Sequence, residues 1–298
     1  MSTASPTGTQ VHLQLGEVSA QIAQVGGSLR SLRIGSVDLI APYPLDAPTP
    51  SCSGVVLVPW PNRVRDGRWD DEGTDRQLAI TEPKFGNASH GLLRFTAYEV
   101  TEGASSATLR TSVVPQTGYP YLLETSVTYT LRVDGIDVEH VITNQSATPA
   151  PVAVGSHPFL TIGDVAEEDL VLRVSAGTAI ETDERMLPVG TSPIDAAVRE
   201  GVRLGDVSLD TGFIDLERDA DGLARHSLTA PDGRRLTLWQ GEGYEVVQVF
   251  TTDKYPGRPL AVAMEPMTAP ADAFNSGTGL RRLAPGETWT LHWGITLD

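Results

Sequence analysis

Apolar and polar residues alternate with a period of two through much of this chain. "VHLQL" (11–15), "TLRTSVV" (108–114), "LETSVTYTLRV" (123–133) and "LTLWQ" (236–240) each put every second side chain on one apolar face, the pattern of half-buried strands. Turn residues separate the runs at Gly26-Gly27, Asp134-Gly135, Asp232-Gly233 and Pro285-Gly286. "LRVDGIDVEHVI" (131–142) and "HSLTAPDGRRLTLWQ" (226–240) read as strand, Asp-Gly turn, strand, because Asp-Gly accepts the positive φ of a tight hairpin. Only "SPIDAAVREG" (192–201) has a helical pattern, of a turn or two. The 29 glycines and 21 prolines are scattered and leave little room for long helices. An all-β fold follows, a large antiparallel β-sandwich or barrel of many strands. Without an internal repeat or a linker, residues 11–298 are expected to form one domain behind a flexible N-terminal tail, 1–10. The Pro-rich "APYPLDAPTPS" (41–51) is read as a loop within that domain.

Composition narrows the partners. A chain of 298 residues that is 40% hydrophobic can bury a substantial core. The formal net charge of −16 is spread along the chain, and such a surface repels phosphate backbones and anionic lipids. No nucleic acid and no membrane is therefore expected as a partner. No apolar run approaches the roughly 18 residues of a membrane span. The polar start "MSTASPTGTQ" and the single cysteine, Cys52, lead to the expectation of a cytoplasmic protein without disulfides. In that compartment the sequons at Asn87-Ala88-Ser89 and Asn144-Gln145-Ser146 carry no meaning. The pattern demands no oligomer, so a monomer or a homodimer is expected.

The chain has no Gly-rich loop ending in Gly-Lys-Ser/Thr, no G-x-S-x-G, no C-x-x-C and no H-E-x-x-H, which removes the familiar nucleotide, hydrolase and zinc signatures. Four segments instead set polar groups among apolar, Pro and Gly residues. In "VPWPNRVRDGRW" (58–69), a planar Trp60 beside Asn62 and Arg63 suits a sugar, whose hydroxyls need donors and acceptors. The plainer alternative is an arginine paired with a carboxylate under a Trp cap. In "GNASHGLLR" (86–94), Gly91 after His90 would let the backbone approach a ligand closely. In "VAVGSHPFLTI" (152–162), Ser156-His157-Pro158 interrupts a strand-like run; a simple turn competes with a histidine mounted for proton transfer. In "LAVAMEPMTAPADAFNSG" (260–277), Glu265 ends an apolar strand just before Pro266, a costly place for a carboxylate that is neither paired nor functional. The other histidines, His12, His140, His226 and His292, lie within alternating strands as ordinary strand-face residues.

At these four segments the chain resembles the aldose 1-epimerase (galactose mutarotase) family. Asn62-Arg63, His90-Gly91, His157-Pro158 and Glu265 match its motifs in order, and "EPMTAPADAFNSG" is similar to a bacterial branch. The resemblance implies the galactose mutarotase-like supersandwich, a cleft for a small-molecule sugar, and no cofactor or metal. It further implies Glu265 as general base toward the anomeric hydroxyl and His157 as general acid toward the ring oxygen. Asn62, Arg63, His90 and Gln248 would bind the sugar, with an aspartate that is Asp210 rather than Asp215 by its spacing to Phe213. One departure is Ser156, where many members have asparagine. Three other readings compete: a carbohydrate-binding protein without catalysis, a glycoside hydrolase, which needs a second carboxylate, and an epimerase of a phosphorylated or sulfonated hexose, for which Arg63, Arg65 and Arg68 are candidate anion contacts.

Overall fold

The computed structural model describes residues 5–298. Strands dominate, and they pair antiparallel throughout, in three main sheets. Alternating segments fold where their pattern placed them: Gln10–Leu15, Ser106–Val113, Leu123–Arg132 and Arg235–Gln240 are strands. The Asp134-Gly135 hairpin joins Leu123–Arg132 to Gly135–Asn144, with Arg132 opposite Gly135. The second hairpin pairs Ala224–Thr229 with Arg235–Gln240. The expected helical turn is Ala196–Glu200. Asp195 caps it by accepting from the Ala197 N–H, and Gly201 ends it, because a short acceptor at the N-cap satisfies a donor the helix cannot. Of the expected tail, residues 1–4 lie outside the described residues. Thr7 is buried, and its carbonyl accepts from the Val25 N–H at 3.0 Å. No helix among the described residues is long and apolar enough to cross a membrane.

A nine-stranded sheet with Gly135–Asn144 and Thr288–Leu297 at its centre forms one wall. An eight-stranded sheet, including Asp210–Leu216, Val246–Thr252 and Ala261–Met267, forms another. A four-stranded N-terminal sheet contributes Val11, Ile22 and Leu29 to the shared core. That single cluster also takes Leu109, Val127 and Ile142 from the large sheet, and Val247, Val249, Val262 and Met264 from the eight-stranded one. Period-two alternation then decides where Gln248, Phe250, Ala263 and Glu265 go: to the opposite face of the eight-stranded sheet.

One boundary differs from expectation. Glu265 does not end its strand, because Ala261–Met267 runs through Pro266. The Met264 N–H donates to the Pro158 carbonyl on the side where pairing with the neighbouring segment is interrupted. Pro266, two residues on, turns its missing donor to that same side, so the ladder to Val246–Thr252 is kept.

Candidate active site

Strand register assembles the site. Gly155 pairs with Met267 and Phe159 with Ala263, and the same register sets His157 opposite Glu265. Gln248 is the partner of Glu265 on the other side, and Gly212 is the partner of Gln248. His157, Glu265, Gln248 and Gly212 thus form one row across the sheet, facing away from the core. Asp210 lies two residues from Gly212 and shares its face. Gly212 keeps the row open, since a Cβ there would come within 3.0 Å of the Gln248 side-chain oxygen.

The two loop motifs come to the same place by pairing with each other. Arg63 is opposite Ser89 in a two-strand ladder. The His90 N–H donates to the Asn62 carbonyl at 2.8 Å, and the Asn62 N–H donates to His90 Nδ1 at 3.3 Å. That second bond makes Nδ1 the acceptor, so Nε2 carries the proton of the neutral ring. Asn62 and His90 both have positive φ, at 55° and 61°, a conformation that costs non-glycine residues about 1–3 kcal/mol and persists only where the surroundings impose it. Gly91 has a reason other than ligand approach: a Cβ there would sit 2.2 Å from the Val58 carbonyl oxygen.

Together these residues line one open cavity of about 830 Å³, which includes Asn62, Arg63, His90, His157, Asp210, Gln248 and Glu265. Every site residue that the resemblance implies is in that lining. Asp215 is not; it is exposed, with a positive φ, and accepts from Thr178 Oγ1 at 2.5 Å. Trp60 is also absent from the lining. It is buried against Phe274, with ring centroids 5.4 Å apart, and so offers no platform to a sugar. The arginine does pair with a carboxylate, as the plainer reading had it, but within the cavity. Of the three arginines considered for an anion, only Arg63 lines it. Arg65 is held by Asp272, and Arg68 is exposed beside Gln77.

The electrostatics centre on two buried groups. His157 Nε2 lies 3.2 Å from Glu265 Oε1, with the residues 5% and 2% exposed. Burial, with Asp210 adding to it, raises the Glu265 carboxyl well above the usual range. Burial lowers His157 to about 4, and Arg63 adds to the effect. Both shifts favour neutral forms, so burial opposes a carboxylate–imidazolium pair at this contact. Glu265 Oε2 has no hydrogen-bond partner among the described residues. The His157 ring stacks on Phe159 at 5.3 Å, while the Ser156 hydroxyl is buried and unpartnered. Phe159 and Glu265 therefore orient this histidine, and Ser156 makes no side-chain hydrogen bond that could.

His90 lies 5.4 Å from His157, ring centroid to centroid. Burial lowers its pKa well below the ordinary value, with His157, Arg63 and Arg94 adding to the effect. It is held as a neutral donor. Arg63 is fixed by Glu82 through two bonds of 2.8 and 3.0 Å and donates to Asn62 Oδ1 at 3.2 Å. The same Nη2 that bonds Glu82 lies 3.9 Å from Asp210, and Asp210 in turn accepts from Gln248 at 2.7 Å. Glu82 was not foreseen. Its signal in the sequence is faint, a lone glutamate before Pro83. Lys84, Arg94 and Lys254, also in the lining, were not foreseen either.

Comparison with known proteins gives the family and the fold. Residues 9–296 match the family model described as "Aldose 1-epimerase". The chain is 30% identical over 294 residues to "Uncharacterized protein YihR" of Escherichia coli (strain K12), covering 97% of this chain and 93% of that one. A galactose mutarotase-like protein from Clostridium acetobutylicum superposes with a TM-score of 0.86 at 17% identity, over 97% of this chain and 95% of that one. A galactose 1-epimerase from Lactobacillus acidophilus NCFM superposes with a TM-score of 0.80 at 17% identity, over 97% and 94%. At such identities the last two likenesses are of fold.

Proposed function

The chain belongs to the aldose 1-epimerase family, and from that premise we propose that it interconverts the α and β anomers of a hexose by acid–base ring opening and reclosure. The observation that carries the reading is the 3.2 Å contact between His157 Nε2 and Glu265 Oε1 in the cavity lining. Two proton-exchanging atoms so close together match two oxygens on a single carbon, the O1 and ring O5 of an aldose. Glycoside hydrolysis asks instead for two carboxyl groups about 5 to 9.5 Å apart across the scissile bond. Asp210, a second carboxylate in the lining, is engaged by Gln248 and faces Arg63, which suits a hydroxyl acceptor.

In the opening step Glu265 takes the O1 proton and His157 gives a proton to O5. The C1–O5 bond breaks and C1–O1 becomes a carbonyl. The step starts once the carboxyl proton has moved to His157, so the pair passes from carboxylate and imidazolium back to carboxyl and imidazole. Burial favours that neutral form, so the environment pulls the opening step forward. Rotation about C1–C2 exposes the other carbonyl face. O5 then attacks C1 and returns its proton to His157, while Glu265 reprotonates O1. The pair ends as it began. Neutral His90 and the held Arg63 are placed to donate to sugar oxygens as charge develops on them, and Asn62, Asp210 and Gln248 supply further donors and acceptors.

The test is anomer exchange in a panel of hexoses, followed by polarimetry or NMR saturation transfer, with E265Q as control. Acceleration that vanishes in the control is the expected result. Sugar binding without any acceleration would instead mark a carbohydrate-binding protein, and release of reducing sugar from an aryl glycoside would mark a hydrolase.

A further inference from the structure

The hairpin of Ala176–Thr182 and Pro188–Pro193 lies at one edge of the eight-stranded sheet. Its tip is closed by its own hydrogen bonds. Asp183 Oδ1 accepts from the Arg185 and Leu187 N–H groups at 2.9 and 3.0 Å, and the Asp183 N–H donates to the Leu187 carbonyl at 2.9 Å. Met186, with a φ of 61°, lines the cavity and the narrow recess beside Asn62, Arg63, Asp210 and Gln248. Its neighbour Arg185 is not in the cavity lining.

Arg185 reaches from that tip to the loop 82–87. Its Nε donates to the Phe85 carbonyl at 2.9 Å. Its Nη2 donates toward the Gly86 carbonyl, Asn87 Oδ1 and Asp66 Oδ1, at 3.3, 3.1 and 2.7 Å. Asn87 Nδ2 in return donates to the Arg185 carbonyl at 3.1 Å. The approach is close, since a Cβ on Gly86 would come within 3.3 Å of Nη2. Asp66 is exposed, so that ion pair by itself is worth little. The specific part is the fork on two successive carbonyls and a side-chain amide, a geometry that arginine offers and lysine does not.

What the fork holds bears on the site. The Glu82 carbonyl accepts from the Phe85, Gly86 and Asn87 N–H groups, so the loop closes on the residue that clasps Arg63. Asn87 leads into Ala88-Ser89, which pairs with Arg63-Val64, and then into His90. Among the described residues, Arg185 supplies the only hydrogen bonds that reach residues 83–86 from outside the loop. Surface loops without such ties are among the first parts of a fold to open.

We infer that Arg185 is a positioning residue: it locks the hairpin tip against loop 82–87 and so fixes Glu82, Arg63 and the Met186 wall around the sugar. The inference rests on the mutarotase reading above. The experiment measures anomer exchange of the best hexose of the panel in R185Q, R185K, E82Q and E82Q/R185Q, with circular dichroism as the check of folding. R185Q is expected to raise KM about fivefold, with kcat within about threefold, because Arg185 acts one step further out than Glu82. Both limbs of its pH profile stay in place, since His157 and Glu265 are untouched. R185K keeps the charge but loses the fork, and is expected to raise KM nearly as much; it carries the test if R185Q fails to fold. In E82Q/R185Q the rise in KM should fall well short of the product of the single rises, because both act through Arg63. A parental KM in R185Q, a full rescue by R185K, or rises that multiply in the double variant overturns this inference alone. Turnover of no hexose by the parent overturns the mutarotase reading and this inference with it.

Discussion

Two pairs of histidines in this molecule, buried except for the half-buried His90, serve different ends. His140 and His226 sit in the nine-stranded sheet, 1% and 0% exposed, and burial lowers both to about 3. His90 and His157 sit at the cavity, and burial lowers them too. Depth does not set His157 apart from the core pair, and the direction of shift sets neither cavity histidine apart. The company does. His226 Nδ1 accepts from the Ser175 N–H at 3.1 Å, and His140 Nδ1 lies 3.5 Å from the Tyr244 hydroxyl; neither touches a carboxylate. His157 has Glu265 at 3.2 Å and shares a cavity with His90. A perturbed pKa marks a buried group, and only a proton-exchanging partner beside open space makes it a candidate for chemistry. His12 and His292, on outward strand faces, are exposed.

The sharpest way to break this comparison is to remove one member at a time. E265Q and H157N are each expected to lower kcat by about 10²–10⁴, the usual worth of a positioned acid or base, with circular dichroism and thermal melting unchanged in form. Turnover close to that of the parent in either variant would dissolve the distinction. One step outward, E82Q should loosen Arg63 and cost about 10-fold in kcat/KM, by analogy with other residues that orient a functional group, mainly through KM. A fall confined to kcat would place Glu82 in the chemistry instead.

The pH profile sharpens the same contrast. Catalysis needs the pair to hold one proton, so activity should fall below a pH near the His157 value of about 4, where both groups are protonated. It should fall again through the raised carboxyl value, well above the ordinary glutamate range, where the last proton leaves. These limbs belong to the pair rather than to either residue. A single acid limb with no alkaline fall would argue against a shared proton.

For the core pair the expected effect is on stability. H140Q and H226Q should leave kcat within about threefold and cost about 1–3 kcal/mol, the usual price of disturbing a buried polar group, read by urea denaturation. Wild-type stability should also decline as pH drops from about 6.5, the unfolded histidine value, toward the folded values near 3. Over that window the unfolded chain binds protons that the folded chain refuses, at up to about 1.4 kcal/mol per pH unit for each such histidine. The slope should be shallower in H226Q.

Much of this was legible in the sequence. The alternation at 123–133 and the Asp134-Gly135 turn sufficed to foresee a hairpin that the structure repeats almost residue for residue, because a strand with one face in the core advertises its period. Asn62, Arg63, His90, His157 and Glu265 were legible through four short motifs and, with Asp210 and Gln248 drawn from the resemblance alone, they line one cavity. Trp60 was left between two readings, since a Trp between two prolines looks the same whether it faces a ligand or packs on Phe274. Pro266 was misread as a strand end, since one proline does not reveal that its missing donor faces a gap in the ladder.

By itself, then, the chain determined its strands, its hairpins and the types of residue available for acid–base chemistry, all of which depend on neighbours close in sequence. Tertiary structure alone decided which of them meet. The row of His157, Glu265 and Gln248 exists because register across three segments happens to align them. The Arg63–Glu82 clasp depends likewise on how loops close. Register and closure are set by the packing of the whole core, and no window of the sequence contains that.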